Sequence, residues 1–94
     1  MTGSLEGRVA IVTGAGQGMG RSFAQVLAEA GATVAVVEVV PERGQQAVTE
    51  LMAAGHRAVL YALDVRDHAA IDAMVADLAR QHGHIDILVN CAGI

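Results

Sequence analysis

Between Thr13 and Gly20 the chain reads Thr-Gly-Ala-Gly-Gln-Gly-Met-Gly, four glycines at alternate positions, directly after the apolar run Val9 to Val12 and directly before a helical pattern. Glycine lets the backbone approach a ligand where a Cβ would collide, and the first N–H groups of a helix have no partner within it. Together they form a cradle for a pyrophosphate. Such a cluster gains meaning from its surroundings: a strand before, a helix after, and an acid about 20 residues on at the end of a second strand to meet a ribose. Glu38 stands at that place.

The elements that must position these groups follow from hydrophobic spacing. Val9 to Val12 reads as a buried strand, and Met19, Phe23, Val26, Leu27 and Ala30 fall on one face of a helix that Gly31 ends. Thr33 to Val37 is β-branched and apolar, as a parallel strand covered on both faces should be. Pro41 suits the first turn of a second helix with Ala47, Val48, Leu51 and Met52 as its buried stripe, Gly44 as a weak point and Gly55 as its stop. Arg57 to Leu63 reads as the third strand. Asp67 is a natural N-cap for a third helix with Ile71, Met74, Val75 and Leu78 inward and Gly83 at its end, and Ile85 to Val89 completes a βαβαβαβ order. Strands and helices alternating at these lengths predict an α/β fold, a parallel sheet with helices on both faces.

The glycine spacing narrows the field. Thr13-Gly14-x-x-x-Gly18-x-Gly20, Glu38 after the second strand, Leu63-Asp64-Val65 after the third and Leu88-Val-Asn-Cys-Ala-Gly-Ile94 after the fourth resemble the single-domain branch of the short-chain dehydrogenase/reductase family. The resemblance runs from about Leu5 to the last residue. It implies a Rossmann-type sheet of strand order 3-2-1-4, incomplete here, with residues 1–94 forming the N-terminal part of one NAD(P)-binding domain. It further implies that the dinucleotide meets Gly14, Gly16, Gln17, Gly18, Met19 and Gly20 at its pyrophosphate, and Glu38, Asp64, Val65, Asn90 and Cys91 on its adenosine side. The family's usual Asn-Asn-Ala-Gly is here Asn90-Cys91-Ala92-Gly93, so contacts made there by backbone atoms survive and contacts made by the second amide do not.

The chemistry of Glu38 favours NAD over NADP. Its carboxylate can accept hydrogen bonds from ribose hydroxyls, whereas a 2′-phosphate would face it with like charge, at a cost of about 1–4 kcal/mol at ~4 Å. Gln17 is neutral, and Val39 supplies no compensating cation. Each residue also has a plainer use. Glu38 can be a solvated strand-end carboxylate, Asp64 a brace for the turn before the third helix, and Asn90 a strand-end residue satisfying backbone groups.

In the family, hydride transfer depends on a Tyr-x-x-x-Lys pair that is absent from this sequence. The chain has no lysine, and its single tyrosine, Tyr61, is followed four residues later by Val65. No residue is assigned to catalysis, and the 94 residues alone are expected to be inactive. The resemblance makes the parent an NAD(H)-dependent oxidoreductase acting on a small alcohol or ketone, and a homodimer or homotetramer. A non-catalytic dinucleotide-binding module is a second reading. An S-adenosylmethionine-dependent methyltransferase fragment is a third, weakened by Val12 where such proteins carry an acid.

Composition agrees. A formal charge of −4 without a basic patch argues against nucleic acid and anionic membranes as partners. No apolar run approaches the ~20 residues of a membrane helix, the first residues lack a leader pattern, and the expected location is the cytoplasm. Cys91, the lone cysteine, has no thiol to pair with and no neighbouring base to activate it. His82 and His84 flank a helix end without supporting ligands, and no metal site is expected.

Overall fold

The computed structural model describes residues 3–92, so Gly93 and Ile94 of the final motif lie outside the described residues. Strands β1 (Val9–Thr13), β2 (Thr33–Val37), β3 (Arg57–Tyr61) and β4 (Ile87–Asn90) alternate with helices α1 (Gly18–Glu29), α2 (Pro41–Ala53) and α3 (His68–His82). All pairings are parallel, and the sheet order is β3-β2-β1-β4. The third and fourth strands are shorter than their apolar runs. The chain leaves the ladder after Tyr61, and Asp86, just before β4, donates its amide to the Val9 carbonyl while its carboxylate accepts the Val9 amide.

Alternation along the central strands sorts side chains to two faces. Val12, Val34 and Val36 pack with Ala24 and Ala28 of α1 and Ala47, Val48 and Leu51 of α2. Ile11, Ala35 and Val37 face the other way, onto Met74 and Leu78 of α3. β1 is buried along its whole length, as a strand with neighbours on both edges and helices on both faces must be, whereas β3 and β4 are only half covered. The result is the Rossmann-type arrangement expected from the sequence.

The inward faces of the helices differ from the expected stripes. α1 turns Gly20, Ala24 and Ala28 to the sheet and leaves Met19, Phe23 and Val26 at 58%, 42% and 61% exposure. Small residues let the helix axis lie close over the valine-rich strands, and that approach outweighs burial of the larger side chains. α2 follows the same logic: Gly44 is buried beneath Leu60, where a Cβ would collide with the leucine's tip, while Met52 faces solvent. The glycine that looked like a weak point is thus a contact point. On α3, Met74 and Leu78 are buried, Ile71 is half-buried, and Val75 is exposed. Its N-cap is as expected, Asp67 accepting from the Ala70 amide at 3.1 Å.

Candidate functional site

The carboxyl ends of all four strands open into one cleft of about 800 Å³, the place where open α/β sheets bind ligands. Its floor is the turn between β1 and α1. Gly14 and Gly18 hold φ values of 64° and 60°, which a side-chain-bearing residue adopts only with strain. A Cβ on Gly18 would meet nothing within 4 Å, so the surface above it is open. At Gly20 a Cβ would run into the carbonyl of Gly14, and this fixes how tightly the helix closes on its own turn. No side chain caps the N-terminus of α1 and no acid occupies its first turn, so the amide donors there remain available to an anion.

Thr13, at the end of β1, ties the floor to β4. Its hydroxyl donates to the Asn90 side-chain oxygen at 2.7 Å and accepts from the amides of Cys91 at 3.0 Å and Ala92 at 3.3 Å. Its role reaches beyond the glycine motif in which it is read. Asn90 accordingly turns its side chain to the Thr13 hydroxyl, a side-chain partner rather than the backbone groups of its plainer reading, while Cys91 is buried at the cleft wall.

Glu38 directly follows β2 at only 6% exposure. One carboxylate oxygen accepts the Gly16 amide at 2.9 Å, the other the Val40 amide at 3.1 Å. A carboxylate oxygen has room for more than one donor, so these bonds hold the acid in place and leave acceptor capacity toward the cleft. Asp64 accepts the Arg66 amide at 2.9 Å and pairs with its guanidinium at 2.7 Å. That pairing holds the Asp64 carboxyl down to about 2. It braces the turn after β3 while remaining on the cleft wall.

Of the eleven expected contact residues, Gly14, Gln17, Gly18, Met19, Gly20, Glu38, Asp64, Val65 and Cys91 line the cleft, and Gly16 and Asn90 support it from behind. Two cations went unread in the sequence. Arg43 and Arg66 both line the same cleft, so cations reach it from positions other than Gln17 and Val39, the two considered in the sequence. Arg43 lies five residues past Glu38, and the helical rise from Pro41 brings it back over the strand end. Among the described residues it forms no ion pair. No cluster of metal-ligating side chains occurs among the described residues, and no helix there is long and apolar enough to cross a membrane.

Residues 8–94 match the family model described as short chain dehydrogenase. The chain belongs to that family. The short-chain dehydrogenases similar to it include 2,3-dihydro-2,3-dihydroxybenzoate dehydrogenase of Bacillus subtilis, 47% identical over 90 residues that make up 96% of this chain and 34% of the relative. Among solved structures, the citronellol catabolism dehydrogenase of Pseudomonas aeruginosa superimposes with a TM-score of 0.91 at 34% identity, over 96% of this chain and 38% of that one. A metagenomic short-chain oxidoreductase solved with NADP matches with a TM-score of 0.91 at 38% identity, over 97% of this chain and 41% of that one. The chain spans about a third of the length of the curated relatives it matches. Short-chain dehydrogenases bind a nicotinamide dinucleotide, and the strand-end cleft with its glycine floor is of the kind that holds one.

Proposed function

We propose that this chain is the N-terminal part of one dinucleotide-binding domain and supplies the adenosine and pyrophosphate half of the site in an NAD(H)-dependent oxidoreductase that interconverts an alcohol and a ketone. The observation that carries this reading is the convergence, in one cleft, of the uncapped α1 N-terminus, the open face above Gly18 and the Glu38 carboxylate. The α1 amides and the glycine backbone would take the pyrophosphate, Glu38 the adenosine ribose, and Asp64 and Val65 the adenine side. When bound, the nicotinamide accepts or releases a hydride. The residues that would steer that transfer are not among the 94, and the alcohol or ketone, a dimeric or tetrameric assembly and a cytoplasmic location are part of the same proposal.

NAD is favoured because a 2′-phosphate would approach the carboxylate of Glu38, a repulsion of about 1–4 kcal/mol at ~4 Å. One observation supports a second reading: the unpaired Arg43 lines the same end of the cleft, and a relative has been solved with NADP. The deciding experiment measures dissociation constants for NAD and NADP in the full-length protein before and after Glu38→Ala and Glu38→Arg. NAD preference should fall tenfold or more with alanine and reverse with arginine. An unchanged ratio would reject Glu38 as the ribose acid.

A further inference from the structure

We propose that Gly16 is a positioning residue for Glu38: the space left by its missing side chain is occupied by the carboxylate, and an acid as long as glutamate fits at position 38 only because that space is vacant. The inference rests on the reading of the cleft as a dinucleotide site and concerns how its acid is held.

Gly16 differs in kind from Gly14 and Gly18. Gly14 and Gly18 are needed for their left-handed backbone, but the φ of Gly16 lies outside that region, so its backbone would accept any L residue. Space is what forbids one. A Cβ built on Gly16 would lie 2.5 Å from Glu38 Oε1 and 2.8 Å from its Cδ, with Arg43 Cβ also at 2.8 Å. The acid has little freedom to yield. It is buried, its two oxygens hold the Gly16 and Val40 amides, and α2 closes on its stem so tightly that a Cβ on Gly44 would come within 3.1 Å of Glu38 Cβ. Swinging Glu38 aside would leave two amides without acceptors and strip the carboxylate of its donors. An aspartate, one methylene shorter, would draw its oxygens back from the contested volume. The length of the acid at 38 and the bareness of residue 16 are therefore two halves of one fit.

The test is a cycle in the full-length protein. Gly16→Ala is introduced into the native, Glu38→Asp and Glu38→Ala backgrounds, and each protein is measured for NAD and NADP dissociation constants and for its ligand-free urea midpoint. With Glu38 present, Gly16→Ala should weaken NAD tenfold or more and lower the midpoint; in the Glu38→Asp background both losses should be at least threefold smaller, what remains being the contact with Arg43 Cβ that the change at 38 leaves in place. Unfolding of Gly16→Ala with Glu38 present but not in the two other backgrounds also supports the pairing. Equal losses in all three backgrounds, or unfolding in all three, overturn it, since crowding against Arg43 would then be the cause. If Glu38→Ala leaves the NAD to NADP ratio unchanged, the ribose reading fails separately, and the midpoints alone decide the fit by the same criterion.

Discussion

The hydroxyl of Thr13 and the side-chain oxygen of Asn90 lie 2.7 Å apart, a bridge between β1 and β4 at the mouth of the cleft. Because the same hydroxyl also receives the Cys91 and Ala92 amides, its loss leaves Cys91 with only a 3.3 Å bond to the Thr13 carbonyl, and takes the acceptor from Ala92 and the donor from Asn90. Thr13→Val, close in shape but without the hydroxyl, should destabilise the fold by about 1–3 kcal/mol. Thr13→Ser should lose clearly less. Urea unfolding of the two variants checks the order, and equal losses would assign the effect to the methyl group.

The glycines of the turn should separate by experiment. In Gly18→Val the added Cβ meets nothing within 4 Å, but the side chain occupies the cleft floor and strains a left-handed backbone, so it should abolish measurable NAD binding at a stability cost of about 1–2 kcal/mol. Gly20→Ala drives a Cβ into the Gly14 carbonyl and should cost more stability than Gly18→Val. Calorimetric titration with NAD beside thermal unfolding tests both. Wild-type affinity in a folded Gly18→Val protein would defeat the pyrophosphate assignment.

Asp64 titrates near 2 because the Arg66 side chain and amide hydrogen-bond its carboxylate. A folded pKa below the ordinary 3.8 means that the pair contributes stability above about pH 4 and loses it as the pH falls toward 2. Carboxyl-detected NMR should find Asp64 as an outlier, and Arg66→Ala should raise it part of the way toward 3.8, the amide of residue 66 still holding it low.

At the alkaline end the relevant group is Tyr61, whose phenol is pushed up to about 12 by burial and by donating to Asp77 at 2.5 Å. The folded state therefore favours the neutral phenol. This contribution is complete below pH 10 and disappears as the pH rises through 12. Absorbance titration at the tyrosinate band should show the shift. Tyr61→Phe should raise the Asp77 pKa, since the phenol is the main group holding that carboxyl low.

Expressed alone, the 94-residue chain should self-associate. Among the described residues β4 pairs on one side only, with β1, and Leu88 on it is 68% exposed without a charge beside it in the strand. Sedimentation velocity should show concentration-dependent oligomers, and Leu88→Lys should reduce them. A monodisperse native chain at all concentrations would contradict this, and turnover of an alcohol by it would contradict the proposal that the residues steering hydride transfer lie outside the 94.

Element order could be read from the sequence because alternation of period and turn glycines is local, whereas the strand order came only from the resemblance to the short-chain dehydrogenase/reductase family. Helix facing could not be read. Met19, Phe23 and Val26 share a helix face, but Gly20, Ala24 and Ala28 share another, and only the packed sheet shows that closeness favours the small set. The site was legible to the same degree. Its glycines and Glu38 are close to one motif, whereas the bond from the Gly16 amide to Glu38 and the arrival of Arg43 and Arg66 depend on how α2 and the turn after β3 dock. Asn90 illustrates the limit from the other side: its type fitted two uses, and the hydroxyl that engages it lies 77 residues away in sequence.

The buried sulfhydryl of Cys91 gives the molecule a native reporter. As the chain's only thiol, 9% exposed in the wall of the cleft directly beyond the strand end that Thr13 clasps, it should react slowly with a maleimide and faster as that wall opens. Its alkylation half-life thus reads the local opening equilibrium of the cleft, without a fluorescent label or an engineered residue, in a protein that has no tryptophan to report on itself.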